Sequence, residues 1–298
     1  MSYRVSLVLS DTLHPLTAIW KRLWSSLSKL FIHFTYQSQF FLPISQMLYT
    51  IRYLLLGIVS IIIICIVIIG KIHIIIYMSN IAAEGVSQIV SDYGTDKLTL
   101  AEIGIYRGDT TMKIAPMVRD LGGKYICVEW FKGNVYSFPN YNPDEHDSNL
   151  QAFTKRIKTE DGGSLKKTVM LLDTSSLDAC AYIDNETIDI CFIDADHRYM
   201  AVLCDIIQYS QKIKHNGILC GHDLSDHGSV CADTYPRECF HMDCHPKWGH
   251  AGVAQAVKEV IGNENIKYYP GTCWATRIKH KDVLGQPTYV HPDQPVLF

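Results

Sequence analysis

The sequence predicts an α/β domain built on a mostly parallel, seven-stranded sheet that ends in an antiparallel hairpin, with one transmembrane helix in front of it. Three observations predict this. From about residue 80 onward, short apolar runs alternate with helical periods, the pattern that encodes a parallel sheet covered by helices. Near the end of the chain "IKYY" and "CWATRI" flank "PGT", two strand-like runs on a tight turn. Upstream, "YLLLGIVSIIIICIVIIG", Tyr53 to Gly70, carries no charge and lies between Arg52 and Lys71.

That apolar run would cover about 27 Å as a helix, close to the hydrocarbon thickness of a bilayer, and "IHIIIYM" carries it on to residue 78. It starts too late and runs too long for a cleaved signal peptide. "LTAIWKRLWSSLSKLFIHF" reads as an interfacial amphipathic stretch leading into the bilayer. The expected organisation is a cytosolic or interfacial segment (1–52), a transmembrane helix (53–78) and one α/β domain (80–298). Arg4, Lys21, Arg22, Lys29 and Arg52 precede the span against Asp11 alone, and only Lys71 follows closely. This bias favours a cytoplasmic N-terminus in a single-pass membrane protein.

Within the domain, Val86, Ile89, Val90 and Tyr93 fit one helix face, followed by strand "LTLAEIGIY". A helix is expected from about Asp109 to Leu121, kinked or shifted at its start by Pro116. Strand "KYICVEW", a helix near Gln151 to Lys158 and strand "TVMLL" come next. A short helix near Ser176 to Tyr182 leads to strand "IDICFID". A longer helix from Tyr199 to His215 ends at "NG" before strand "ILCGHD". Val253, Ala256, Val257, Val260 and Ile261 mark the last helix.

Of the 298 residues 48% are hydrophobic and 19% charged, which describes a folded chain rather than a disordered one. The net charge of -3 provides no basic field for nucleic acid, and that class of partner is excluded. Ten cysteines and the sequon at Asn185 would suit an oxidising compartment, but Cys127, Cys191 and Cys220 lie in apolar strand runs as small hydrophobes. Cys231, Cys239 and Cys244, with His241, His245 and His250, cluster in one loop. Their irregular spacing favours loop residues or a disulfide over zinc.

In open α/β sheets ligands bind beyond the carboxyl ends of the strands. Strand one ends in "AEIGIYRGDTT", which supplies Glu102, Gly104, Gly108, Thr110 and Thr111 and feeds a helix N-terminus. Strand two ends in Glu129, an acid placed to accept hydrogen bonds from ribose hydroxyls. Strand three ends in "DTSS", whose Ser175 and Ser176 suit the edge of a nucleoside base. Strand four ends in Asp194 and strand five in His222 and Asp223. With strands about 4.8 Å apart, these groups can converge.

The turn reads ExGxxxGxT rather than GxGxxG and lacks the glycine spacing that cradles a pyrophosphate, which argues against a nicotinamide oxidoreductase. It resembles the first motif of class I S-adenosylmethionine-dependent methyltransferases. Taken in order, "AEIGIYRGDTT", "CVEWFKGN", "FIDADHRYM", "NGILCGHD" and "GVAQAVKEV" resemble the subfamily known as methyltransferase domain 24, over roughly residues 80 to 279. The resemblance implies a Rossmann-like sheet, S-adenosylmethionine as cofactor, and methylation of a hydroxyl on a small molecule or sugar. It also implies cofactor-binding roles. Glu102 and Gly104 would line the methionine end, with Gly108, Thr111 and Asp194 beside them; Glu129 would hold the ribose, and Ser175 or Ser176 would meet the adenine. Each residue has a local reading too: glycines for the turn, Glu129 as a strand-end acid, the serines as helix caps.

Catechol and caffeoyl-CoA O-methyltransferases bind a divalent cation through a strand-four Asp and an Asp-Asn pair after strand five. "FIDAD" and "CGHD" resemble that arrangement, with His222 and Asp223 in the pair's place and Leu224 where no asparagine follows. The expected metal ligands are therefore Asp194, His222 and Asp223. Oxygen donors favour magnesium, and the imidazole shifts preference toward manganese, iron or zinc. A metal-free site, in which the same groups hydrogen-bond substrate or cofactor, competes with this reading. His197 is the candidate general base beside Asp194, with helix capping as its alternative. The insertion from "SDHGSV" to "KWGH", with Tyr235, Phe240 and Trp248, reads as a substrate lid. Because the implied cofactor is made inside the cell, the side of the membrane that carries the domain stays open. The alternative to an enzyme is a catalytically inactive, membrane-anchored nucleotide-binding module with an interaction role.

Overall fold

The computed structural model describes residues 82–131, 143–224, 241–242, 249–280 and 287–294. The expected N-terminal segment, the transmembrane helix at 53–78 and the lid residues Tyr235, Phe240 and Trp248 lie outside the described residues. Among the described residues no helix is long and apolar enough to cross a membrane.

Helix α1 covers residues 82–93 and buries Ala83, Val86, Ile89 and Val90, a stripe at helical period. Then follow β1 (Thr99–Ile103), α2 (Asp109–Asp120), β2 (Lys124–Glu129), α3 (Pro143–Thr159), β3 (Val169–Asp173) and the short α4 (Ser176–Ala179). After these come β4 (Ile188–Ile193), α5 (Tyr199–Ser210), β5 (Ile213–Gly221), α6 (Ala251–Val260), β6 (Lys267–Tyr269), β7 (Cys273–His280) and β8 (Pro287–Val290). The strands lie in the order β3-β2-β1-β4-β5-β7-β6. Strands β1 to β5 are mutually parallel, and β7 runs antiparallel to both β5 and β6. This is the expected Rossmann-like mixed sheet with terminal antiparallel strands.

Period-two alternation divides the sheet residues between two cores. Ala101, Ile103, Val128, Cys191, Ile193 and Leu219 face α5 and α6, meeting Val202, Ile206, Val253 and Val257. Leu100, Tyr125, Cys127, Ile190, Phe192 and Cys220 face the other way, onto Val86, Ile114, Val118 and Phe153 of α1, α2 and α3. Both faces being covered explains why these strands read as continuous apolar runs.

Three expectations are corrected. Among the described residues the sheet has eight strands rather than seven, because β8 pairs with Arg277 to His280 of β7. Since β5 holds one edge of β7 and β6 pairs only its first residues, β8 takes the remainder of the outer edge. The helix expected to reach His215 stops at Ser210, and β5 begins at Ile213. There the register slips between Ile188 and Ile190 of β4, with Asn216 at φ 63, so "NG" makes a bulge inside β5 instead of ending a helix. Helix α2 runs through Pro116 without a break. That proline removes the amide that the Met112 carbonyl would have accepted.

Candidate active site

The parallel ladder lays the candidate residues along one rim. Gly104 N donates to Val128 O (2.9 Å), Asp194 N donates to Ile103 O (2.8 Å), and His222 N donates to Ile193 O (3.1 Å). Glu129, Gly104, Asp194 and His222 therefore stand in adjacent positions at the carboxyl ends of β2, β1, β4 and β5.

On the β1 side, Gly104 has φ +86, and a Cβ there would lie 2.3 Å from the Asp194 carbonyl oxygen and 2.6 Å from Ala195 Cα. Only a glycine lets the turn and the end of β4 approach this closely. Gly108, φ +81, precedes α2, and a Cβ there would meet the Phe153 ring at 2.5 Å. Glu129 Oε2 accepts hydrogen bonds from the backbone amides of Ile105 (3.0 Å) and Tyr106 (2.7 Å), tying the end of β2 to the turn after β1. Burial raises the Glu129 pKa against the pull of those amides.

Glu102 and Thr111 point into the protein. Glu102 is 1% exposed, and its Oε2 accepts from Thr111 Oγ1 (2.5 Å) and Tyr125 Oη (2.8 Å). Burial pushes the Glu102 pKa up to about 8, although both hydroxyl donors oppose it. As placed, the pair fastens α2 to β1 and β2. Ser175 caps α4: its Oγ accepts from Asp178 N at 3.1 Å and donates to Asp178 Oδ2 at 2.8 Å. The Ser176 carbonyl accepts from Tyr209 Oη at 2.8 Å. Ser175 thus takes its capping role, and both serines stand at the β3 edge of the rim, with β2 and β1 between them and Asp194.

The β4 and β5 ends do converge. Ligand atoms of Asp194, His222 and Asp223 all lie within 4.8 Å of one another. His222 Nδ1 stands 3.4 Å from Asp194 Oδ1 and 3.3 Å from Asp223 Oδ2. His197 Nε2 reaches Asp223 Oδ2 at 3.0 Å and Asp194 Oδ1 at 3.6 Å. Burial alone would raise both aspartates, but hydrogen bonds from His197 and His222 outweigh it and hold Asp194 and Asp223 below the usual carboxylate range. Burial would lower His222, and the same two carboxylates overcome it and push His222 up to about 10. Two carboxylates faced by imidazoles form a donor set suited to a divalent cation.

One member of this cluster comes from outside the strand ends. His250 Nε2 lies 3.7 Å from Asp223 Oδ2, and its ring sits 4.2 Å from that of His197. It joins the rim because α6 folds back onto the loop after β4. The available signal was "GHAG", a histidine directly before small residues at a helix start. Of the cysteines and histidines of that insertion, only His241 and His250 fall among the described residues.

A Rossmann-like sheet with its seventh strand antiparallel, and acids and a glycine turn along the carboxyl rim, puts the candidate ligand site at the carboxyl ends of the strands. Residues 101–224 match the family model described as a methyltransferase domain, the subfamily that the ordered motifs resemble. This segment carries the methyltransferase-domain match. No curated protein matches the sequence. Among solved structures, the chain is similar to the O-methyltransferase TomG of Streptomyces achromogenes, solved with S-adenosylmethionine. That likeness has 15% identity and TM-score 0.45, over 65% of this chain and 78% of the other. An O-methyltransferase of Bacillus cereus is similar at 16% identity and TM-score 0.43, over 65% and 79% of the two chains.

Proposed function

We propose that the protein methylates a hydroxyl oxygen of a small molecule or sugar, with a divalent cation held by Asp194, His222 and Asp223. The observation that carries this reading is the abutment of the two halves of the site: the Gly104 turn touches the backbone of the very residue, Asp194, that opens the acidic cluster. S-adenosylmethionine supplies the methyl group through its sulfonium. Gly104 leaves the backbone bare for the methionine end of that molecule, and Glu129 receives the ribose. His197, in the tautomer that leaves Nε2 unprotonated, takes the proton of the acceptor hydroxyl there as the acceptor oxygen gains the methyl group. Asp194 and Asp223 both face that Nε2, at 3.6 and 3.0 Å, and stabilise the imidazolium once it holds the proton. When bound, the cation supplies positive charge that favours ionisation of the acceptor hydroxyl. Glu102 and Thr111 keep the turn rigid from below, in this reading, more than they touch the cofactor.

The reading extends to location: residues 53–78 anchor a domain that begins near residue 80. Asn185 is exposed, so a glycosidase-sensitive mass shift there would place the domain outside the cytosol.

The test uses the full-length protein. Calorimetry with S-adenosylmethionine, with and without magnesium or manganese, is paired with turnover on catechols and sugars. Binding and turnover are expected for the wild type, and turnover falls on the order of 100-fold in Asp194→Ala and Asp223→Ala. Binding without turnover on any acceptor would favour the inactive module, and absent binding would end the proposal.

A further inference from the structure

Beside the Asp194, His222 and Asp223 set stands a second group. His197, Asp223 and His250 each offer one ligand atom, and these atoms also lie within 4.8 Å of one another. Both imidazoles aim at one oxygen: Nε2 of His197 is 3.0 Å, and Nε2 of His250 3.7 Å, from Asp223 Oδ2. The rings lie 4.2 Å apart at an interplanar angle of 56°. Each ligand comes from a different segment: the loop after β4, the end of β5, and the residue that precedes α6. Backbone packing fixes the pairing. A Cβ on Gly252 would lie 2.4 Å from the His197 carbonyl oxygen and 2.5 Å from Tyr199 N, so α6 presses His250 against the His197 loop.

The spacing suits a small cation. Ligand atoms bonded at 2.0–2.1 Å to a tetrahedral ion stand about 3.4 Å apart. The two distances to Asp223 Oδ2 bracket that value. Two imidazole nitrogens with one carboxylate oxygen suit zinc, cobalt or iron, whereas magnesium requires an octahedron of oxygens.

We propose that His197, Asp223 and His250 form a transition-metal site of the zinc type, and that an ion there silences methyl transfer. The silencing clause rests on the functional reading above; the site itself does not. An ion bonded to Nε2 of His197 occupies the lone pair that would take the acceptor's proton. Asp223 serves both ligand sets, so filling this one also withdraws an oxygen from the other.

Full-length protein stripped with chelator and titrated with cobalt(II) tests the site through the visible bands of the bound ion, with zinc(II) as the displacing metal. Cobalt affinity is expected to fall at least about tenfold in His250→Ala, and likewise in the closer-sized His250→Asn. Asp194→Ala, which removes a ligand of the other set only, should lose clearly less than the His250 variants. Unchanged affinity in the His250 variants, or an equal loss in Asp194→Ala, overturns the site. For silencing, zinc should suppress methyl transfer by the wild type and spare His250→Ala; equal suppression of both overturns that clause. If no methyl transfer occurs at all, the functional reading has failed, while the cobalt titration still decides the site.

Discussion

Nε2 of His197 lies 3.0 Å from Oδ2 of Asp223, across a gap of 26 residues that the parallel pairing of β4 with β5 closes. Asp223 is held at φ 61, a left-handed conformation that Asp tolerates better than most residues, and Leu224 N donates to Thr272 O at 3.0 Å just beyond it. One carboxylate oxygen thereby faces three histidines. Asp223→Asn keeps the shape and removes the charge. Turnover is expected to drop on the order of 100-fold, with the S-adenosylmethionine dissociation constant within about threefold of the wild type, because Glu129 and Gly104 are untouched. Equilibrium binding set beside single-turnover kinetics checks this, and an equal loss in both would place Asp223 in cofactor binding instead.

Glu102 has a stability signature. Its folded pKa of about 8 lies above the ordinary carboxylate value, so folding favours the protonated form. The native state holds its full advantage below about pH 4.5. That advantage is lost progressively as pH rises through about 8, because the unfolded chain ionises freely while the native one resists. The cost at pH 8 is on the order of 4 kcal/mol. Glu102→Gln retains an oxygen that accepts from Thr111 and Tyr125 and has no charge to bury. Urea unfolding at pH 5 and pH 8 should show the wild type losing more stability between them than the variant, the difference being the Glu102 contribution.

The rim was legible because a parallel sheet makes each strand end a predictable address. "AEIG", "CVE", "FID" and "CGHD" each close an apolar run, and the apolar period alone places Gly104, Glu129, Asp194 and Asp223 side by side. Direction along a strand was legible, but which neighbour a side chain chooses was not. Glu102 is turned inward by hydroxyls on α2 and β2, a choice that depends on packing across three elements. His250 sits 27 residues from Asp223, and only the seating of Gly252 against His197 brings it home. "NG" favours a helix end and a strand bulge alike, and the slip in register between β4 and β5 decided for the bulge. "PTYV" carries β-formers but is too short to declare itself without β7 to pair with.

Gly104→Ala tests how tightly the two halves of the site are joined. The new Cβ would sit 2.3 Å from the Asp194 carbonyl oxygen at a backbone φ of +86. Both partners are backbone, so no side chain can rotate away. A destabilisation of at least about 2 kcal/mol is expected from the strain and displacement together. Calorimetry should show cofactor binding weakened well beyond that of Gly122→Ala. Gly122 also has positive φ, 69, but nothing lies within 4 Å of its added Cβ. If both alanines behave alike, backbone conformation rather than the contact with Asp194 is what Gly104 provides.

Gly252→Ala probes the cluster from the other side without altering any ligand. The added methyl would meet the His197 carbonyl oxygen and the Tyr199 amide, and α6 can relieve both only by moving away from the loop after β4. Such a shift separates His250 from His197 and Asp223 while leaving the ladder that carries Asp194 and His222 intact. Cobalt affinity is therefore expected to fall about tenfold in Gly252→Ala, with S-adenosylmethionine binding unchanged. Ala254→Gly, two residues on in the same helix, lowers helix propensity by about 1 kcal/mol without that collision and serves as the control. Equal metal affinity in the two variants would mean that the seating of α6 does not govern the pairing of His197 with His250.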